Sequence, residues 1–427
     1  MEIVPTNFSV VTGPNGSGKS NLVEALAFLG EVYQFGFEFA VGRYGGIDAI
    51  AYRDKRRTTI GVEFKVSASL SASEVYERSY FPRSRRETLE QYANRRFTID
   101  HAFTLKPAGA AASAEYGLHN ENLTLSVERA DGTFAQLLTV VGNNDASPDD
   151  GGAARVVVHD YAEDLDIGPL SELALGSFVR RIGNTWDESR DLGSVIELAR
   201  LAPVVRHFAQ SMGLIRAYRL NPSACRKPAV LTPNAALESD GSNLPAAASR
   251  MMKRQPEAWN QVLSSMRQIL PDLTEIDTSP SPEYGISLRF QEQERGRPWS
   301  AHEVSDGTIQ ALALFIAAFD PRAPIVLVEE PENAVHPWVL RRFLEVCKSL
   351  TEKQTILTTH SPVLLSLVRP EDVFLMWRSA GRSALKPLTR VAPDAHRLYY
   401  EEGFDVFSLY DSGMIGEAIP GAGSERG

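Results

Sequence analysis

One octapeptide limits what this chain can be more than anything else in it. Gly13-Pro14-Asn15-Gly16-Ser17-Gly18-Lys19-Ser20 fits the pattern G-x-x-x-x-G-K-[S/T]. The run Phe8 to Thr12 before it is short and apolar, and Lys19 to Leu29 after it has amphipathic spacing. The local reading is therefore strand, loop, helix. Glycines let successive backbone N–H groups close on a phosphate, and the helix that follows contributes its positive pole. A lysine in the seventh place neutralises β- and γ-phosphates, and the hydroxyl after it suits a magnesium ion. Lys19 and Ser20 are read in these roles, with Gly13, Pro14, Asn15, Gly16, Ser17, Gly18 and Asn21 completing a cradle for ATP and Mg²⁺.

A second pattern points to the same chemistry. Ile325-Val326-Leu327-Val328-Glu329-Glu330 is a fully apolar β-branched run that ends in two carboxylates. A buried parallel strand delivers adjacent acids only at its C-terminal edge, where α/β sheets bind their ligands. Successive side chains on a strand face opposite ways. Glu329 is therefore assigned to Mg²⁺ through a water, and Glu330 to polarising the attacking water. Further along, Val304-Ser305-Asp306-Gly307-Thr308 opens an apolar helix expected to reach Phe319. Ser305 suits its N-cap, and Gly307 lets another backbone come close. His360, in Thr358-Thr359-His360-Ser361-Pro362, follows an expected core strand from Gln354 to Thr359. Taken singly, these last two elements read as a capped helix and a structural histidine.

Taken together, the four elements resemble ABC-type ATPases, in particular the RecF/SMC/OLD-like "AAA family" ATPases of bacteria. GPNGSGKS, VSDGT, IVLVEEPEN and TTHSP stand as Walker A, signature, Walker B and switch motifs. The resemblance is dense over Phe8 to Leu29 and Ala301 to Trp377, thinner over Tyr218 to Leu244, where Asp240-Gly241-Ser242-Asn243-Leu244 looks like a family element, and a matter of layout in between. It implies a P-loop fold with a mixed central sheet, an antiparallel β section and a helical lobe. It also implies two heads that sandwich two ATP molecules. Ser305, Asp306 and Gly307 would then meet the nucleotide of the partner subunit, Glu330 would be the catalytic carboxylate, and His360 the γ-phosphate sensor. Pro331 to His336 would cross the dimer interface.

Four departures from the family pattern stand out. Relatives usually carry one or two strands before the P-loop strand, and no adenine-stacking residue is assigned. No glutamine stands clearly in the loop that usually reaches the γ-phosphate. His336 replaces the aspartate of many transporter-branch relatives. The stretch after His360 is too short for the nuclease domain of OLD enzymes.

Composition bounds the rest. The chain has 427 residues, 43% hydrophobic and 23% charged, enough for two or three lobes around a real core. The expected lobes are 1–170 (P-loop and antiparallel β section), 171–319 (mainly helical, ending in the signature helix) and 320–411 (Walker B and switch), with 412–427 as a fraying tail. Short β-rich runs are read at Thr58 to Val66, Phe97 to Leu105, Leu123 to Glu128 and Phe134 to Val141. An exposed loop is expected over Gly142 to Gly152, and helices over 171–219 and 246–270. No apolar run reaches the roughly 18 residues of a membrane helix. Two isolated cysteines, Cys225 and Cys347, fit a reducing compartment, so a soluble cytoplasmic protein without membrane or zinc site is expected.

The net charge of −10 excludes a globally basic nucleic-acid binder. Residues 43 to 96 nevertheless hold 12 Lys/Arg against 7 Asp/Glu, clustered at Arg53 to Arg57, Arg83 to Arg86 and Arg95-Arg96, with Tyr76, Tyr80, Phe81 and Tyr92 among them. That segment reads first as a solvated face and second as a DNA contact. The function expected is a Mg²⁺-dependent ATPase whose nucleotide-gated homodimerisation serves DNA maintenance or anti-phage defence. The rival is an ATP-gated sensor or scaffold that holds a separately encoded effector such as a nuclease. A transporter motor is disfavoured by the long insertion between Ser20 and Ser305, and a P-loop kinase by the lack of an acceptor site.

Overall fold

The computed structural model describes residues 1–51, 61–78, 90–107, 116–142, 154–159, 161, 163–164, 166–175, 185–186, 194–200, 202–282, 284–293, 296–379 and 381–412. Packing divides the chain into two units, Met1–Ala27 with Leu214–Gly427, and Phe28–Gly213. The cuts between these packing units fall at 27/28 and 213/214.

The first unit is organised by a six-stranded sheet in the order Arg382–Pro387, Val373–Ser379, Phe8–Thr12, Gln354–Thr358, Ile325–Glu329, Ile215–Tyr218. All neighbouring pairs are parallel except the first, an antiparallel hairpin at one edge. The sheet is mixed, as expected, and its central strands are buried along nearly their whole length, which is what parallel strands covered on both faces require. Its register decides where chemistry can occur. Val11 pairs with Thr358, and Thr358 with Glu329. One row across the sheet thus ends the P-loop strand, the switch strand and the acid-bearing strand at the same edge.

The helices Leu244–Arg254, Pro256–Ile269, Asp306–Phe319 and Pro337–Ser349 also belong to this unit, with a three-stranded antiparallel sheet, Leu273–Pro280, Ile286–Glu292 and Trp299–Ser300. Asp306–Phe319 is apolar all round, and Thr308 to Ala318 are buried, so it forms the centre of the core. Lys353 lies beneath its C-terminal end, donating to the carbonyls of Ala318 and Asp320 at 2.6 and 2.7 Å. Burial holds that ammonium's pKa down at about 8.

The second unit holds a six-stranded antiparallel meander: Val62–Ser71, Arg96–Pro107, Tyr116–Glu128, Phe134–Gly142, Ala154–Val158 and Thr185–Trp186. The antiparallel section read from the sequence is there, longer than expected. Arg96–Pro107 alternates buried and open positions, with Phe97, Ile99, Phe103 and Leu105 inside. Helices Gly168–Leu175, Val195–Ala199 and Pro203–Met212 belong to this unit too. The helical expectation for 171–219 fails at Ile215–Tyr218, which is a parallel strand beside Ile325–Glu329. The periodicity of Pro203–Met212 runs up to it, and a four-residue strand is too short to show a period of its own.

The P-loop helix also overruns its expected end at Leu29 and reaches Phe35, since a glycine such as Gly30 is tolerated inside a packed helix. Seven of the twelve Lys/Arg of the basic segment, those of Arg53 to Arg57 and Arg83 to Arg86, lie outside the described residues with Tyr80 and Phe81, as does the loop from 143 to 153. Arg95 and Arg96 are described, and each is paired with a carboxylate, Asp166 at 2.8 Å and Glu128 at 3.2 Å. Both cysteines are buried, which pushes their thiols up to about 12 and leaves them inert. Among the described residues no helix is long and apolar enough to cross a membrane, and no group of His, Cys, Asp or Glu is arranged to hold a metal by itself.

Candidate functional site

The loop between Thr12 and Lys19 owes its shape to three glycines in left-handed backbone, Gly13 (φ +154°), Gly16 (+73°) and Gly18 (+109°). Among the described residues no acceptor takes the backbone N–H of Gly16, Gly18, Lys19 or Ser20; the first helical bond runs from Leu22 N to Gly18 O. These are the donors a phosphate would occupy. Lys19 is only 7% exposed, and its ammonium donates to the carbonyls of Gly13 at 2.8 Å and Pro14 at 3.0 Å. Burial draws its pKa down to about 8, against an opposing attraction from the Glu330 carboxylate. A cation held at such a cost has an obvious remedy in a polyphosphate.

Ser20 and Glu329, 309 positions apart in the chain, are brought into contact: Ser20 Oγ donates to Glu329 Oε2 at 2.8 Å. A hydroxyl and a carboxylate side by side, next to free amides and a buried ammonium, are the oxygen donors a hard divalent cation takes alongside phosphate. The residues present therefore fit ATP with Mg²⁺.

Glu330 leaves the strand in left-handed backbone, φ +47°, although it is not glycine. That conformation costs a non-glycine residue of order 1–2 kcal/mol and recurs at functional sites. Its N–H is fixed by Thr358 O at 2.9 Å, and its carboxylate accepts from Asn333 Nδ2 at 2.9 Å. Turning the acid out of the pleat brings its field onto both Lys19 and His360. His360 is exposed overall, yet partial desolvation of its ring, followed by the Lys19 charge, holds its pKa below the ordinary imidazole value against the opposing pull of Glu330. It is thus the neutral form that stands at the site near pH 7.

Two residues outside the motifs, Arg226 and Ser383, hold this arrangement together with Glu332, which lies in the Walker B run without a role read from it. Glu332 Oε1 accepts from Thr359 Oγ1 at 2.7 Å and from the His360 N–H at 3.2 Å, clamping the Walker B loop to the switch. Its Oε2 is buried without a partner, and burial raises its pKa. Arg226 donates to Ala301 O at 2.9 Å and Val304 O at 2.8 Å and pairs with Asp306, so it fixes the loop that opens the signature helix. Ser383 donates to Ser17 O at 2.6 Å. Each is a single polar residue whose partners lie at least 27 positions away in the chain. Sequence periodicity carries no trace of such pairings.

The signature residues are placed differently. Ser305 caps the helix as expected, accepting from Thr308 N at 3.2 Å. Ser305 and Asp306 are exposed, and among the described residues no hydrogen bond or ion pair links positions 305–307 to the P-loop. Gly307 instead lies against the loop after the paired acids: a Cβ there would stand 3.0 Å from Ala334 O. His336 has a plain local role, since its Nδ1 accepts from Trp338 N at 3.2 Å and caps helix Pro337–Ser349, a task aspartate also performs.

A family model described as "AAA domain, putative AbiEii toxin, Type IV TA system" matches residues 8–366, a span that takes in all four motifs. The chain belongs to this family. It is an AAA-domain ATPase, with the nucleotide binding that goes with the family. Solved structures with a related layout are SMC heads. One is the SmcHead bound to the C-winged helix domain of ScpA, 13% identical, covering 90% of this chain and 91% of that one with a TM-score of 0.41. Others are the SMC head domain from Thermotoga maritima (12% identity, 90% and 92% covered, TM-score 0.32) and the Smc head with an extended coiled coil from Pyrococcus furiosus, bound to the C-terminal domain of ScpA (11%, 93% and 94%, 0.37). A search of curated proteins gives no match.

Proposed function

We propose that this AAA-domain ATPase is a Mg²⁺-dependent ATP hydrolase in which two copies close on nucleotide, and that its turnover drives an anti-phage defence assembly. The observation that carries the hydrolase reading is the 2.8 Å contact between Ser20 and Glu329, beside a buried Lys19 and a left-handed Glu330. Bound ATP with Mg²⁺ would supply the γ-phosphoryl group and a Lewis acid. In this reading Ser20 and Glu329 hold the metal, and Lys19 exchanges its two carbonyl acceptors for phosphate oxygens. Glu330 orients the attacking water, and His360 faces the γ-phosphate. The P-loop amides bind the phosphates, and Lys19, fixed in place beforehand, stabilises the charge that develops.

The exposure of Ser305 and Asp306, away from the P-loop of their own chain, supports their use by a second copy. The toxin and TA-system words of the family description support defence over DNA maintenance, and a separately encoded partner. DNA enters as an optional regulator through residues 43–96.

The deciding variant is Glu330→Gln. It should bind ATP like the parent, hydrolyse it about 100-fold or more slowly, and accumulate as dimer in light scattering with ATP. Parental turnover by this variant would remove Glu330 from its role. Parallel assays with duplex and single-stranded DNA at low salt test the regulator, since phosphate contacts give a steep salt dependence.

A further inference from the structure

The P-loop does not hold its own shape. Thr12 pairs with Leu375, so the next residue, Gly13, comes against Met376, and a Cβ on Gly13 would lie 1.9 Å from the Met376 carbonyl oxygen. The chain then folds back as the antiparallel strand Arg382–Pro387, in which Ser383 pairs with Arg378. From there Ser383 reaches the loop again. Its Oγ donates to the Ser17 carbonyl at 2.6 Å, and a Cβ on Gly18 would stand 2.6 Å from that same Oγ and 3.2 Å from Met376 Cε. The edge hairpin is thus the rear wall of the cradle.

The hydroxyl touches one peptide group in particular. The peptide between Ser17 and Gly18 is planar and trans, so its C=O and N–H point in opposite directions. Fixing the carbonyl toward Ser383 turns the Gly18 N–H away from the hairpin, and no acceptor among the described residues takes it. Without the hydroxyl this peptide is free to rotate between two glycine-like conformations, because Gly18 tolerates either sign of φ.

We propose that Ser383 is a positioning residue for nucleotide: its hydroxyl locks the Ser17–Gly18 peptide so that the Gly18 N–H is aimed at a phosphate oxygen before ligand arrives. The proposal rests on reading Gly13 to Ser20 as a nucleotide cradle. The interaction is made equally in ground and transition states, so its loss belongs in affinity rather than in the chemical step.

The experiment is titration of the purified full chain and of Ser383→Ala, Ser383→Cys and Lys19→Ala with ATP and ADP, beside steady-state turnover and thermal melts. Ser383→Ala should weaken both nucleotides by about five- to tenfold and raise KM in proportion, with kcat within about twofold. Ser383→Cys, similar in shape but a weaker donor, should fall between parent and alanine. If Ser383→Ala is too unstable to titrate, Ser383→Cys carries the test alone. Parental affinity in every soluble Ser383 variant, with or without a lowered melting point, overturns the proposal and leaves Ser383 as a structural staple. If the parent itself binds no better than Lys19→Ala, it is the nucleotide reading that falls.

Discussion

Two polar clusters in this chain are built on opposite principles. In the second unit, His101 and Glu121 are 0% and 2% exposed in their side chains, and Tyr33 is buried beside them. Tyr33 OH meets His101 Nδ1 at 2.8 Å, and His101 Nε2 meets Glu121 Oε1 at 3.2 Å. Glu121 also accepts from Ser194 Oγ at 2.6 Å and Val195 N at 2.8 Å. Every polar side-chain atom of that trio is engaged. At the P-loop edge of the first unit the opposite holds: amides without acceptors, an ammonium drawn down to about 8, a carboxylate in left-handed backbone, and a buried carboxylate oxygen without a partner. A closed network stabilises a fold, whereas an open one stores binding energy for a ligand. The first is expected to fail by unfolding and the second by losing nucleotide.

That contrast is open to attack from both sides. The widest gap should appear between Lys19→Ala and Glu121→Ala. The first should cost about 100-fold or more in ATP affinity without lowering the melting point, since it deletes a poorly solvated charge. The second should destabilise by about 3 kcal/mol or more, because it strands several buried donors at once. Denaturant melts and calorimetric titration of the same two proteins decide it, and a shared loss of stability would erase the distinction.

Glu330→Gly should come next. Relieving the left-handed backbone should stabilise the fold by about 1 kcal/mol while turnover disappears, a trade that a purely structural glutamate would not make. A lower melting point in this variant would remove backbone strain from the description of the site.

Smaller again is the pH effect. Lys19 loses its proton near pH 8 in the free protein. Phosphate binding favours the ammonium, so between about 8 and the ordinary lysine value binding takes up a proton, and affinity should fall by up to about tenfold per pH unit. Below about 8 this group contributes no pH dependence. Titrations at pH 9 in two buffers of different ionisation enthalpy measure the proton directly. The smallest expected change in stability is that of Ser305→Ala, which removes a helix cap worth about 1 kcal/mol and should appear in the melt of the nucleotide-free protein.

Much of the open cluster was legible because phosphate chemistry demands particular residues at fixed spacing. Lys19, Ser20, Glu329, Glu330 and His360 could be named from the chain alone, and the sheet register puts them at one edge. Arg226 and Ser383 were invisible, and so was the part that Glu332 plays within the Walker B run, since each depends on which atoms the fold brings beside it. The closed cluster was illegible for the same reason: Tyr33, His101, Glu121 and Ser194 come from four separate segments with no common spacing. The antiparallel section could be read because alternation betrays a half-buried strand, while Ile215–Tyr218 could not, being four residues against a helical background.

The three loop glycines answer to different masters. A side chain at Gly13 would collide with the neighbouring strand, and one at Gly18 with the hairpin, whereas nothing lies within 4 Å of the place a side chain would take at Gly16. A descendant that gave up nucleotide would therefore keep the outer two for the sake of its sheet. It would be free to lose the lysine, and at the middle glycine only backbone conformation would resist drift. In such a lineage the worn motif would still spell glycine where the strands demand it, long after the pocket had fallen silent.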